Sequence, residues 1–143
     1  MGNEPSSVDG QALIGEFLKH SPFGRLLGIE IKAVEPDTAE LTLSFRDELT
    51  TAGDVVHGGA ISSLLDVAAT AAAWAHEFAS PPQRWGTASL TVDFLRPAKG
   101  RDLEAVARVV RRGRRMCFCQ VEARDSDGAV ATGLVVYALD SED

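Results

Sequence analysis

The chain has 143 residues, with 14 Lys and Arg against 21 Asp and Glu, a formal charge of −7, and 45% hydrophobic residues. At that length a single domain can bury about two thirds of its unfolded surface, and neither disulfides nor a structural metal are needed to hold a core. The acidic balance argues against non-specific binding to nucleic acid or anionic membranes, which depends on excess Lys and Arg at phosphate, although a local Arg cluster can still take a small anion.

The opening residues, MGNEPSSVDG, lack the basic and apolar regions of a secretory signal. Met1-Gly2-Asn3 with Ser6 formally fits a myristoylation pattern, but the match is short, and residues 1–8 are expected to form a disordered end before one domain spanning 9–140. Asp9 to Leu18 reads as a short amphipathic helix with Leu13, Phe17 and Leu18 on one side, and Ser21-Pro22 starts another turn as N-cap and first helical residue. From Gly28 the period becomes two: Ile29, Ile31 and Val34 lead into Pro36-Asp37, and Ala39, Leu41, Leu43 and Phe45 alternate with polar residues, as in a β-hairpin with one buried face. The polar stretch from Arg46 to Asp54 is a candidate wall of a site.

Gly58 to Phe78 is Ala-rich and apolar around nearly its whole circumference, which marks a buried helix. A membrane span is rejected because Ser62, Ser63, Asp66, Thr70, His76 and Glu77 fall inside it, and an unpaired Asp near mid-bilayer costs several kcal/mol. Ser80-Pro81-Pro82 is expected to stop this helix. Four strand-like runs follow, Thr87 to Leu95, Asp102 to Val110, Met116 to Asp125 and Ala129 to Leu139. Cys117 and Cys119 lie two apart on one such run, roughly 6.6 Å from each other and badly oriented for a bridge. Two reduced thiols suit a cytoplasmic chain. The order is strand, strand, helix and four strands, the pattern of an α+β fold in which one antiparallel sheet wraps one helix. Such a layer leaves edges that need cover, so pairing between copies is expected.

The stretch Val56-His57-Gly58-Gly59-Ala60-Ile61-Ser62-Ser63-Leu64-Leu65-Asp66 concentrates the chemistry. Its two glycines allow close approach, and the unpaired N–H groups of a first helical turn, at the positive end of the dipole, suit an oxyanion. Asp66 shares a face with Ser62 and Thr70, and an Asp in an apolar helix is costly unless paired or functional. Taken singly, each residue has a plainer role: His57 as a helix-starting group bonded to backbone, Asp66 as a structural acceptor, Thr70 as a back-bonded hydroxyl. No triad pattern activates Ser62 or Ser63. No two His have the spacing of a zinc motif, so no metal is expected. Five Arg, at 108, 111, 112, 114 and 115, form the one basic cluster, either a solvated turn or a phosphate contact.

These strings, VHGGAISSLLD, SLTVDFLRPA at Ser89 to Ala98, Arg112-Gly113-Arg114 and DGAVATG at Asp127 to Gly133, resemble the hotdog-fold acyl-CoA thioesterases of the phenylacetate-degradation (PaaI-like) type over roughly Phe23 to Leu139. The resemblance implies an acyl-CoA thioesterase. The Gly58 N–H would hold the thioester oxygen, Asp66 would attack or activate water, Gly59 would shape the turn, and His57 would orient the loop. It places hydroxyls at Thr70 and Thr87 near the acid, and it puts Thr51 where relatives often carry Asn or Gln. It also implies a homodimer or homotetramer with Gly58 of one copy facing Asp66 of the other. The acyl group would lie along the helix by Leu65, Ala69 and Trp74, with Arg112, Arg114 and Arg115 at the coenzyme A phosphates. No cofactor is implied, coenzyme A being part of the substrate. An acyl-CoA-binding module with little turnover is the alternative. A hydratase of the same fold is disfavoured, since its usual Asp and His pair is not evident.

Overall fold

The computed structural model describes residues 7–140. Short helices α1 (Gly10–Lys19) and α2 (Pro22–Leu27) lead into the hairpin β2 (Ile29–Glu35) and β3 (Thr38–Leu43), and the long helix α3 (Gly58–Trp74) precedes β7 (Arg84–Phe94), β8 (Leu103–Arg112), β9 (Met116–Asp125) and β10 (Gly128–Asp140). These six strands form one antiparallel sheet in the order β2-β3-β8-β9-β10-β7, which bears out the α+β hotdog expectation. Two small pairs add to it: β1 (Val8–Asp9) with β6 (Glu77–Phe78), and β4 (Thr50–Ala52) with β5 (Val55–Val56). No helix among the described residues is long and apolar enough to cross a membrane.

The sheet closes on α3 because the helix offers small side chains. Ala68, Ala69, Ala71, Ala72 and Ala73 are fully buried with Leu64 and Leu65, against Leu41, Ala105, Ala107, Cys119 and Val135 of the strands. Alanine also has the best helix propensity, so the same composition favours the helix and lets the strands approach.

Three expectations are corrected. Residues 1–6 lie outside the described residues, and with them the myristoylation pattern, but Val8 of the expected disordered end pairs with Phe78. The long helix ends at Trp74 rather than at Phe78. Ala75 leaves helical geometry with ψ 63°, and the start of α1 closes on this end, the Gly10 N–H donating to His76 O at 3.0 Å. A Cβ at Gly10 would sit 2.1 Å from Trp74 O, so only glycine permits that approach. On α1 itself the buried side chain is Ile14, 3% exposed, whereas Leu13 and Phe17 are 49% and 50% exposed.

Gly133 marks a second close approach. A Cβ there would lie 2.2 Å from Thr91 O on the neighbouring strand β7. Main chain cannot yield as a flexible side chain does, so Gly133→Ala is expected to cost about 3 kcal/mol, the upper end of the range for an overpacked core, read as a lowered midpoint in urea unfolding. An unchanged midpoint would show that β7 gives way freely.

Candidate active site

The loop before α3 is held by backbone. The His57 N–H donates to Leu49 O at 2.7 Å and the Val56 N–H to Ala98 O at 2.9 Å. His57 is the N-cap, at φ −62° and ψ 134°, and its Nδ1 accepts the Gly59 N–H at 2.8 Å. Nδ1 is thereby an acceptor, which in the neutral ring leaves the proton on Nε2. Ala60 and Ile61 donate to His57 O. Of the first-turn donors only the Gly58 N–H finds no acceptor among the described residues, and as a first helical residue it has none within α3. Phe94, at the end of β7, stands over it: a Cβ on Gly58 would meet the ring at 3.2 Å.

Two turns on, Asp66 is half-buried, and its Oδ1 accepts a hydrogen bond from the Thr87 hydroxyl at 2.6 Å. The aim of Thr87 depends on a bulge. Thr87 pairs with Tyr137 and Leu90 with Val135, with the register shifting between Val136 and Tyr137. Val135 and Tyr137 are both buried toward the helix, and directly paired residues share a face, so the bulge turns both Thr87 and Leu90 toward α3 although they lie three apart. The Thr70 hydroxyl bonds back to Asp66 O at 3.0 Å, its plainer role. Tyr137, the one tyrosine of the chain, accepts from Trp74 Nε1 at 3.0 Å beside this group. Burial, with the nearby Asp66 carboxylate adding to it, pushes its hydroxyl up. Neither Phe94 nor Tyr137 was singled out from sequence. A lone Tyr in an apolar strand carries a usable signal, since a buried hydroxyl needs a partner.

Gly58 and Asp66 lie on one helix eight residues apart, about 12 Å along its axis. A reacting carbon has to sit near 3 Å from both the oxyanion donor and the attacking group, which one chain does not bring together. Thr51 occupies the irregularity of the β4–β5 pair and is exposed, its hydroxyl unbonded among the described residues.

The basic cluster divides. Arg112 is turned inward, donating to Ala73 O at 2.9 Å near the end of α3 and to Asp37 Oδ1 at 2.8 Å. This departs from the phosphate contact expected of it, because both guanidinium ends are already taken by acceptors of its own chain. Arg114 and Arg115 are exposed at the β8–β9 turn. No group of three or more His, Cys, Asp or Glu among the described residues could hold a metal ion.

Arg96 anchors the far end of β7, behind Phe94. Its Nη1 and Nη2 donate to Asp125 Oδ2 and Oδ1 at 3.0 and 2.6 Å, and Nη2 also reaches Gly128 O at 2.8 Å. The guanidinium holds the Asp125 carboxyl down at about 2, against an ordinary 3.8. A depressed carboxylate contributes stability above its ordinary value and loses it as pH falls through the depressed one. Asp125→Asn is expected to lower Tm by roughly 5 °C at pH 7, with the difference from wild type shrinking below pH 4 toward pH 2. A difference that does not change with pH would assign the loss to packing.

A family model described as the thioesterase superfamily matches residues 53–132, from the loop before α3 into β10. The medium/long-chain acyl-CoA thioesterase YigI of Escherichia coli is 34% identical over 144 residues, covering 89% of this chain and 92% of its own length. Among solved structures, the conserved protein PA5202 of Pseudomonas aeruginosa is 30% identical with TM-score 0.76, over 86% of this chain and 97% of that one. Escherichia coli PaaI, of the phenylacetic acid degradation operon, shares the fold at 22% identity and TM-score 0.78, over 93% and 96%. With the matched segment running through the helix that carries Gly58 and Asp66, and a relative alike over nearly nine tenths of its length, this chain belongs to the thioesterase superfamily and is a hotdog-fold thioester hydrolase.

Proposed function

We propose that the chain hydrolyses acyl-CoA, releasing a free acid and coenzyme A, in sites shared between two copies. The observation that carries this reading is the Asp66 carboxylate, held by Thr87 in an apolar helix whose first turn presents the unpartnered Gly58 N–H. Water attacks the thioester carbon and passes a proton to Asp66. The resulting oxyanion sits on the Gly58 N–H of the other copy, the C–S bond then breaks, and the sulfur of coenzyme A takes the proton back. Direct attack by the carboxylate, followed by hydrolysis of the anhydride, uses the same two groups. His57 and Gly59 hold the turn, and Arg114 and Arg115 are the exposed cations suited to the phosphates.

Two features support the dimer. Gly58 and Asp66 are too far apart to act on one carbon within a chain, and β7 is an edge strand carrying Trp85, Leu90 and Phe94 exposed, an edge that β-proteins normally cover. The name of the YigI relatives points to medium or long acyl chains. A thiol-release assay across butyryl-, decanoyl-, palmitoyl- and phenylacetyl-CoA tests the reading, with turnover of at least one thioester expected. Tight coenzyme A binding without release from any of them would overturn it in favour of a binding module. The exposed Thr51, with its shorter side chain at the loop, gives that outcome a physical basis.

A further inference from the structure

Beneath α1 lies a cavity of about 260 Å³ whose walls include Leu13 and Phe17 of α1, Trp74 at the end of α3, Pro82 and Trp85 before and in β7, and Tyr137 of β10. Its lining is mostly apolar, and the Trp74 Nε1–H and the Tyr137 hydroxyl on its wall are paired with each other, which suits an apolar ligand. Its aromatic walls are braced edge to face: Phe17 against Trp85 and Trp74 against Trp85, each with ring centroids 5.9 Å apart. Leu13 and Phe17, half-exposed where the sequence reads them as a core face, overhang it.

The cavity lies in line with the candidate site. Asp66, Thr70 and Trp74 follow one another at four-residue spacing along α3, and Tyr137 in the cavity wall is the direct strand neighbour of Thr87, which holds Asp66. From Asp66 to Trp74 the helix rises about 12 Å, the span of an extended chain of roughly ten carbons. At the ~30 Å³ that a water occupies in the liquid, a volume close to that of a methylene, the cavity has room for about eight groups.

We propose that this cavity takes the distal carbons of an aliphatic acyl chain, with Leu13 and Phe17 of α1 setting the chain length accepted. The inference rests on the thioesterase reading for the place of the thioester, and it assigns the tail to a cavity walled by the chain that supplies Asp66. Short acyl groups end before the cavity, while medium and long ones enter it, and each buried methylene is worth about fourfold in affinity.

Trp74 and Trp85 are the only tryptophans of the chain, and both line the cavity, so intrinsic fluorescence reports on it. S-(10-bromodecyl)-coenzyme A, a thioether that is not hydrolysed, is expected to quench the fluorescence more strongly than S-decyl-coenzyme A, because bromine quenches on contact. In turnover, Leu13→Phe is expected to lower the ratio of decanoyl- to butyryl-CoA kcat/KM about tenfold, and Leu13→Ala to raise the ratio for palmitoyl-CoA. Acyl-CoA turnover with no bromine-specific quenching, or with chain-length ratios unmoved in both variants, overturns the tail site and leaves the hydrolase standing. Quenching without turnover of any thioester leaves the tail site standing and overturns the hydrolase. Absence of both overturns both.

Discussion

Asp66→Asn is expected to lower kcat about a thousandfold while leaving the fold intact, within the 10²–10⁴ that a positioned general base contributes. The substitution is matched in size, and an Asn oxygen can still accept the 2.6 Å hydrogen bond from Thr87, so the helix, the bulge and the neighbouring Tyr137 keep their contacts. What disappears is the negative charge able to take a proton or attack the carbonyl. Thermal unfolding measured beside thiol release separates the two contributions. An Asn variant within tenfold of wild type would remove Asp66 from the reaction and return it to the role of structural acceptor.

The second large effect concerns a group that side-chain substitution does not ordinarily reach. Gly58→Pro deletes the N–H assigned to the oxyanion and puts a ring carbon in its place, at a position whose backbone already suits proline. His57 at φ −62° and ψ 134° has the extended geometry a following proline requires, and the first helical position, whose N–H has no helical partner, is where proline is best tolerated. Loss of one oxyanion donor should cost 10²–10³ in kcat. Gly58→Ala is the control. It brings the same Cβ against the Phe94 ring but keeps the N–H, so crowding at Phe94 appears in both variants, whereas the lost donor and the ring carbon that fills its place belong to proline alone. Equal losses in both would assign the effect to Phe94. Co-expressed Gly58→Pro and Asp66→Asn chains are further expected to recover roughly a quarter of wild-type activity, because half of random dimers are mixed and each mixed dimer holds one intact shared site. No recovery would mean that the two groups do not meet across copies.

Much of the fold is legible in the chain because it follows from local periodicity. The alternation of Ala39, Leu41 and Leu43 and the all-round apolar character of Ile61 to Trp74 each have one good structural answer, and an Asp within such a helix stands out without further information. Other features depend on contacts between distant segments. Thr87 faces Asp66 because of a bulge opposite Val136 and Tyr137, and strand alternation alone does not locate a bulge. The helix stops at Trp74 because Gly10, sixty-four residues earlier, closes on its end. Ile14 rather than Leu13 and Phe17 meets the core because α1 packs at one angle among several that its sequence allows. Arg112 reads like its neighbours in the basic cluster until Asp37 and Ala73 are seen to occupy it.

The two cysteines, 1% and 0% exposed with their sulfurs 3.9 Å apart beneath α3, also bear on how every variant above can be judged. A colorimetric thiol reagent that registers coenzyme A as it is released finds no protein thiol while the sheet stays wrapped around its helix. When a chain unfolds, both become titratable, as a step of fixed size set by the protein concentration. One absorbance trace therefore carries two signals, a slope for turnover and an offset for lost structure, and a variant that is silent because it has stopped reacting is distinguished in the same cuvette from one that has come apart.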